Sequence, residues 1–215
     1  MLVAESDLVN TLLKAGHGFG TAGASAAAPS EPWALELGPE RLWRALDRRR
    51  TIEQFAERDI PDEILADLPG LGAPGSRNSV SAERSDPARV RVAVLRSGGD
   101  RPGLSLADGP LPVPQVGGPE LAETLQHEYM RAPIILFWFA PPGSVHEYYR
   151  SLIAAGAAGY DLWIAAVAHG LGAHPFGRPS EAVRAALADA GPGGALHLFT
   201  LALGWPDADD PQEPR

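Results

Sequence analysis

Three consecutive arginines and a threonine form the clearest candidate binding motif in this sequence of 215 residues. Arg48, Arg49, Arg50 and Thr51 stand at the end of residues 39 to 49, whose apolar spacing predicts a helix. An arginine guanidinium offers a phosphate a fixed charge and paired N–H donors, and the threonine hydroxyl adds another donor. The alternative is a solvated helix end, where cations interact favourably with the helix dipole. The residues alone leave both interpretations open, and in the first of them Arg49 and Thr51 would be the contacts.

The overall composition makes an arginine cluster notable and excludes several functions. The formal net charge is −9, so general nucleic-acid binding is not expected, because no basic excess exists to displace counterions. The absence of cysteine excludes disulfides and thiolate metal sites and fits a cytoplasmic location. With no His-Glu-x-x-His motif either, no metal site is expected. No membrane span and no secretory signal are expected, since we find neither a long enough apolar run nor a basic start.

The apolar patterns predict the strands that would position these residues. Alternating valines in "ARVRVAVL" predict a half-exposed strand. The continuous apolar run "PIILFWFA" predicts a buried central strand, and "ALHLFTLAL" predicts the last strand. The stretches "GGDRPGLSLADGPLPVPQVGG" and "GLGAHPFG" are predicted to be loops because glycine and proline punctuate them.

The helical patterns complete an α+β domain whose sheet is covered by helices. "YYRSLIAAGAAGYDLWIAAVAHGLGA" is apolar on every face, which predicts a buried helix. Shorter helices are predicted at residues 2 to 14, 39 to 49, 119 to 130 and 180 to 188, with Leu42, Trp43 and Leu46 on one face of the second. We divide the chain into an N-terminal helix and flexible Gly/Ala-rich segment, residues 1 to 36, and a domain over residues 37 to 215.

Three segments resemble the nitroreductase-like FMN oxidoreductases, in the order of that family. They are "RRRTIEQF" with "IPDEILADL", then "APGSRNS", then "YRSLIAAGAAGYDLWIAAVAHGLGAHPFG" with "ALHLFTLALGWP". The resemblance implies a mixed sheet covered by helices, a long buried central helix, bound FMN, and a homodimer with active sites at the subunit interface. "RSGGDRPGLSLADG" and "YYRSLIAAGAAGYDLW" are similar to the azoline dehydrogenase subgroup. This similarity implies hydride transfer to flavin from a peptide, natural-product intermediate or other small molecule.

The resemblance also implies roles for particular residues. Asn78 would hydrogen-bond the flavin ring edge, although an asparagine in such a loop equally well holds a turn. The segment after the long helix would lie against the isoalloxazine, although a glycine there is also a common helix C-cap. A phenol at the start of the long helix would transfer a proton on the substrate side, or simply pack there. The cofactor and catalytic candidates carried over in this way are Arg48, Arg49, Arg50, Thr51, Asn78, Pro175, Phe176 and Gly177 for the cofactor and Tyr148 and Tyr149 for catalysis.

A second hypothesis starts from Glu53, which stands where the resembled family has a basic residue that helps to bind the flavin phosphate. This change favours a flavin-free relative, a structural or partner-binding subunit that keeps the fold. Bound flavin in the purified protein distinguishes the two hypotheses.

Overall fold

The computed structural model describes residues 38–69, 71, 90–97, 103–107, 119–188 and 194–208, which all belong to the compact unit Trp33–Arg215. Three predictions lie outside the described residues: the helix over residues 2 to 14, the Gly/Ala-rich segment and the loop carrying Asn78. The predicted domain boundary at residue 36 also falls there.

The described chain alternates helices and strands, which confirms the α+β class. The helices are α1 (Pro39–Arg48), α2 (Asp62–Asp67), α3 (Pro119–Glu128), α4 (Val145–Ala168) and α5 (Glu181–Ala186). The strands are β1 (Arg91–Arg96), β2 (Gly103–Leu106), β3 (Ile134–Ala140), β4 (Gly172–Phe176) and β5 (Leu196–Gly204).

One five-stranded sheet in the order β2-β1-β3-β5-β4 forms the centre of the described structure. All its strand pairs are antiparallel, and the one parallel link described is a bridge between Thr51 and Ala173. The predicted central strand β3 lies in the middle and is buried at every residue. Its side chains alternate: Leu136 and Trp138 pack toward α4, whereas Phe137 packs toward α3 and α5. The sheet therefore has a core on each face.

Both edge strands were predicted to be loops, and these predictions were wrong. Strand β2 pairs with β1 from Gly103 to Leu106, and β4 pairs with β5 from Gly172 to Phe176. Both are short, and β4 contains Pro175, which an edge strand tolerates because only one side of the strand must supply ladder hydrogen bonds. The glycine and proline residues therefore led to a loop prediction, although pairing with a neighbouring strand stabilises both segments as strands.

The prediction of a half-exposed strand at β1 was also wrong. Strand β1 lies between β2 and β3, so both of its edges are paired, and Ala93, Val94 and Leu95 are buried because a core packs on each face of the sheet. Leu95 belongs to the core on one side of the sheet and Val94 to the core on the other.

Helix α4 has clear signals at both ends. It begins with a capping box, in which the Ser144 side chain accepts from the Glu147 N–H and the Glu147 carboxylate accepts from the Ser144 N–H at 2.6 Å. It ends where Gly170 adopts a φ of 83°. There the Leu171 N–H donates to the Ala166 carbonyl, and the Gly170 N–H donates to the Val167 carbonyl. This pair of bonds is a Schellman motif, which aims the chain directly into β4.

The predicted all-round burial of the long helix holds only for one stretch near its end. From Leu162 to Ala166 every residue is buried, but the residues before Leu162 are buried only at every fourth position, at Ser151, Ala155 and Gly159. On α1, whose predicted apolar face carries Leu42, Trp43 and Leu46, Leu42 and Leu46 are half-buried and Trp43 is 66% exposed. Apolar residues in both helices are left at the surface.

By length and composition α4 could cross a membrane, contrary to the expectation that no apolar run is long enough, and it is the only such helix in the part described. However, α4 packs along the sheet, where Leu162 and Trp163 join the core. This packing is that of a core helix.

Candidate functional site

Two of the predicted cofactor-binding segments meet at the outer edge of β4. The Ile52 N–H donates to the Ala173 carbonyl at 3.0 Å. His174 Nδ1 lies 2.9 Å from the Ile52 carbonyl, and it must be the donor because a carbonyl can only accept. Thr51, directly after the arginine run, is therefore adjacent to the strand that carries Pro175 and Phe176.

The three arginines contact different surroundings: Arg49 lies on α4, whereas the other two line a cleft. The Arg49 guanidinium lies over the Trp163 ring, 4.9 Å from its centroid, and 5.8 Å from the centroid of Tyr160. A guanidinium stacked in this way keeps in-plane N–H groups with which it can bind an anion. Thr51 is exposed whereas Ile52 is buried, so the chain presents Thr51 outward beside Arg49.

Arg48 and Arg50 face a separate cleft of about 170 Å³. Residues at the end of α4 and the start of β4 form much of its wall. The lining residues are Arg48, Arg50, Ile52, Val167, Gly170, Leu171, Gly172 and Pro206. The three arginines thus offer two cationic positions, one on the aromatic pair of α4 and one in this cleft.

Trp163, beneath Arg49, has an unusual environment. Its indole Nε1 is the only buried side-chain nitrogen or oxygen without a hydrogen-bond partner in the described part of the chain. Such an atom is uncommon in native proteins, because a buried polar group without a partner costs about 1–3 kcal/mol. The Arg49 side of α4 therefore combines a cation with an unused N–H donor.

Phe176 ends β4 between two aromatic rings. It stacks on His174 at 4.4 Å and meets Tyr129 edge-on at 5.2 Å. Gly177 follows, is exposed, and has no atom within 4 Å of where a Cβ would stand. The backbone directly after β4 is consequently open to a flat ligand.

Tyr148 and Tyr149, the catalytic candidates, lie apart from this edge. They stand in the first turns of α4 with their ring centroids 5.7 Å apart, and they are 40% and 59% exposed. At 1.5 Å per residue, Tyr149 is about 21 Å along the helix from Trp163. Within one chain, these tyrosines and the arginine run do not share a site.

Sequence reasoning missed a buried polar cluster behind β4, formed by Glu128, Tyr129, Ser180, His197 and Thr200. Burial lowers the pKa of the His197 imidazole from 6.5 to about 4, so this ring is neutral at pH 7. Burial also raises the pKa of the Tyr129 phenol. The histidine and threonine were visible in "ALHLFTLAL", but in a regular strand residues three apart face opposite sides.

Within the described residues, no group of three or more His, Cys, Asp or Glu side chains could hold a metal ion. Asn78 lies outside the described residues, and Glu53 is exposed. The ionisable groups of the binding edge are therefore mainly those of the arginine run and Glu53.

No protein-family profile matches this sequence, and no curated protein matches it by sequence. Its likeness to solved structures is clear. The fold is nitroreductase-like. A candidate nitroreductase from Ralstonia eutropha JMP134 superposes with a TM-score of 0.58 at 16% identity, covering 88% of each chain.

Two further structures give the same result. NfrA2 from B. megaterium has a TM-score of 0.53 at 18% identity, covering 81% of this chain and 70% of its own. The NADPH:FMN oxidoreductase from Vibrio harveyi, solved with NAD+, has a TM-score of 0.52 at 18% identity, covering 81% of this chain and 73% of its own. At these identities the likeness concerns the fold, and function depends on the residues of the site.

Proposed function

We propose that this chain is an FMN-dependent oxidoreductase of the nitroreductase type. The main supporting observation is the β-bridge between Thr51 and Ala173. This bridge joins the arginine run to the strand that ends at Phe176. These two segments are far apart in sequence, and the resemblance implies a cofactor contact for each. The named cofactor of the Vibrio harveyi structure, which has the same fold, also supports FMN.

The residues of this edge fit a flavin mononucleotide. Arg49 and Thr51 would hold the phosphate by charge-assisted and hydroxyl hydrogen bonds, with Arg48 and Arg50 adding positive potential from their cleft. The open backbone at Pro175, Phe176 and Gly177 would lie against the ring system, and Asn78 would bind the ring edge. Bound FMN supplies a two-electron hydride acceptor, and the surrounding residues orient the substrate against it.

The exposed apolar face of α4 supports a homodimer with the site between subunits. Tyr149, Ile153 and Tyr160 lie on this face, with Ile153 73% exposed. Gly156 has nothing within 4 Å of its missing Cβ, so a second backbone can approach closely there. A monomer seldom leaves such an apolar surface uncovered.

A two-fold axis crossing α4 at Gly156 would complete the proposed site. Tyr149 and Trp163 are equally distant from Gly156 along the helix, so antiparallel packing places Tyr149 of the partner subunit opposite Trp163. The tyrosines of one chain would then face Arg49 of the other. In this arrangement Tyr148 or Tyr149 of the partner subunit would be the phenol that transfers a proton. The distance between these tyrosines and the arginine run within one chain would then not matter.

We propose that the substrate is a peptide or natural-product intermediate, as in the azoline dehydrogenases that the sequence resembles. We also propose that the protein is located in the cytoplasm. The proposed substrate class rests on the resemblance of the start of α4 to that subgroup. Oxidation of such a substrate would leave the flavin reduced, and molecular oxygen or a second substrate would have to accept the two electrons; a nicotinamide donor would take the place of the substrate as the source of the hydride.

Flavin binding is the decisive experiment. The protein purified from cells grown with riboflavin should be yellow and should release FMN on denaturation; apoprotein should regain FMN on titration, followed by quenching of flavin fluorescence. Reduction of the bound flavin under anaerobic conditions by NADH, NADPH or an azoline peptide then identifies the donor class. A colourless protein that does not bind added FMN contradicts the proposal.

Glu53 supports a second candidate function, a flavin-free structural or partner-binding subunit. Its carboxylate is exposed in the same segment as Arg49 and Thr51, where it would repel a phosphate. If wild-type protein does not bind FMN, a Glu53→Arg variant that gains binding would identify this residue as the cause.

A further inference from the structure

A chain of buried hydrogen bonds begins and ends on one short loop. The loop, residues 177 to 180, joins β4 to α5 directly after Phe176. At one end the Ser180 N–H donates to His197 Nδ1 at 2.8 Å. At the other end the Tyr129 hydroxyl donates to the Arg178 carbonyl at 3.2 Å.

A β-bulge makes this chain of bonds possible. The register between β3 and β5 shifts at Trp138 and Phe139, so that Trp138 pairs with Phe199 while Phe139 pairs with His197. The extra residue turns His197 and Thr200 to the same face of the sheet. His197 Nε2 consequently lies 2.8 Å from Thr200 Oγ1.

The hydrogen-bond partners specify where the His197 proton lies. Nδ1 accepts from a backbone N–H and so carries no proton, which leaves the proton of the neutral ring on Nε2. Nε2 therefore donates to Thr200, whose hydroxyl is hydrogen-bonded to Tyr129. The donors then run in one direction, from Ser180 through His197, Thr200 and Tyr129 to the Arg178 carbonyl.

Two charged groups face the chain of bonds from its surroundings. The Glu128 carboxylate at the end of α3 accepts the Ser180 hydroxyl at 2.7 Å. The Arg178 guanidinium on the loop lies over the Tyr129 ring, 5.3 Å from its centroid. The same loop is thus held by backbone, side-chain and ring contacts to α3 and β5.

We propose that His197 is a positioning residue, which holds the loop over residues 177 to 180, and with it Phe176, in the geometry that the cofactor site requires. The cofactor part of this inference rests on the proposed function, whereas the control of the loop does not. His197 itself is buried beneath the edge and acts through Ser180 and Thr200.

Protonation of His197 should release the loop. A second ring proton would lie on Nδ1 and point at the Ser180 N–H, so two donors would face each other where a bond now exists. Glu128 nearby favours the charged ring, but burial opposes it more strongly and keeps the pKa at about 4. The loop should hence stay ordered at neutral pH and loosen only in acid.

Amide hydrogen exchange of the apoprotein tests the loop without FMN. His197→Phe keeps a ring of similar size but removes both nitrogens. It should lower the protection factor of the Ser180 amide about tenfold or more, because one buried hydrogen bond is lost. His197→Asn keeps an acceptor near the Nδ1 position and should restore most of the protection. In wild-type protein, protection should fall below pH 4, and in His197→Asn it should not show this dependence.

Matched variants and FMN titration complete the experiment. His127→Asn removes an exposed histidine on α3. It should change neither the protection of the Ser180 amide nor the affinity for FMN. Thr200→Val cuts the far half of the chain of bonds and provides a second test if His197→Phe does not fold. FMN affinity should fall about fivefold to tenfold in His197→Phe and recover in His197→Asn.

Unchanged Ser180 protection in a folded His197→Phe protein, or unchanged amide exchange at Gly177 and Arg178 in a folded Thr200→Val protein, would overturn the control of the loop by this chain of bonds. A loosened loop with unchanged FMN affinity would overturn the link between loop and cofactor. If wild-type protein binds no FMN, the proposed function fails, whereas the exchange data still decide whether His197 holds the loop.

Discussion

Single residues at the edge of β4 combine stacking with charge. Arg49 lies over the Trp163 ring, 4.9 Å from its centroid, and this contact meets part of the entropy cost of fixing a long side chain before any ligand binds. A rigid, always-charged group is a better phosphate donor than a mobile one, which is the physical reason for proposing Arg49 as the main cation.

Arg49→Ala should weaken FMN binding by about ten-fold or more, because a charge-assisted contact contributes about 1.5–3 kcal/mol. Fluorescence titration of the apoprotein measures this change. Arg44→Ala is the matched control, since Arg44 lies on the same helix but pairs with Glu40 at the surface. If FMN affinity is unchanged in Arg49→Ala with native circular dichroism but falls in Arg48→Ala and Arg50→Ala, the phosphate lies in their cleft.

His197 predicts how stability depends on pH. The unfolded chain protonates this ring near pH 6.5, but the folded chain protonates it only near pH 4. Between these values the unfolded state binds more protons, so the stability is full above pH 6.5 and falls as the pH falls. The loss should amount to about 3 kcal/mol by pH 4.

Urea unfolding at a series of pH values checks this expectation. The free energy of unfolding of wild-type protein should fall more steeply from pH 6.5 to pH 4 than that of His197→Asn. Parallel curves for the two proteins would show that His197 does not titrate differently in the folded and unfolded states.

At the scale of elements, two glycines of α4 have opposite surroundings. A Cβ on Gly159 would collide with the Phe199 ring of β5, so helix and sheet approach closely only because this position lacks a side chain. A Cβ on Gly156 would meet nothing. Gly159 therefore serves packing within the chain, whereas Gly156 leaves open space at the surface of the helix.

Gly159→Ala should destabilise the fold by about 1–2 kcal/mol, the cost of overpacking less the gain in helix propensity. Gly156→Ala should stabilise the isolated chain by about 0.5–1 kcal/mol. Chemical unfolding of both variants in an Ile153→Asp background, which removes any contribution from association, compares them directly. Equal effects of the two substitutions would contradict the proposed packing.

At the scale of the whole molecule, the exposed apolar residues of α4 argue for association. Ile153 is 73% exposed and Tyr149 is 59% exposed, although they are apolar or aromatic. Burying such side chains against a second copy is favourable by about 25 cal/mol per Å² of apolar surface. The net charge of −9 opposes non-specific aggregation, so a defined dimer is the expected product.

Ile153→Asp should convert a dimer into a monomer, because it buries a charge at the centre of the proposed interface. Light scattering at micromolar concentration measures the mass. Ala185→Asp introduces the same charge on the exposed side of α5 and should leave the dimer intact. A wild-type protein that is already monomeric would contradict the proposed assembly and the shared site.

The sequence by itself determined the long elements and the class of fold. Strand β3 and helix α4 were predicted because their hydrophobic patterns are long and consistent, and local pattern is sufficient for such elements. The arginine run was recognisable because its three cationic residues are consecutive in an acidic chain. These features are properties of neighbouring residues in the chain.

Only the tertiary structure decided what depends on distant neighbours. Strands β2 and β4 are too short and too rich in glycine and proline to be recognised alone, and they exist because β1 and β5 supply their hydrogen bonds. The bulge opposite Trp138 brought His197 and Thr200 together against the strand period. The stacking of Arg49 on Trp163 likewise joins residues from separate elements, because side-chain contacts between elements depend on packing that no local pattern encodes.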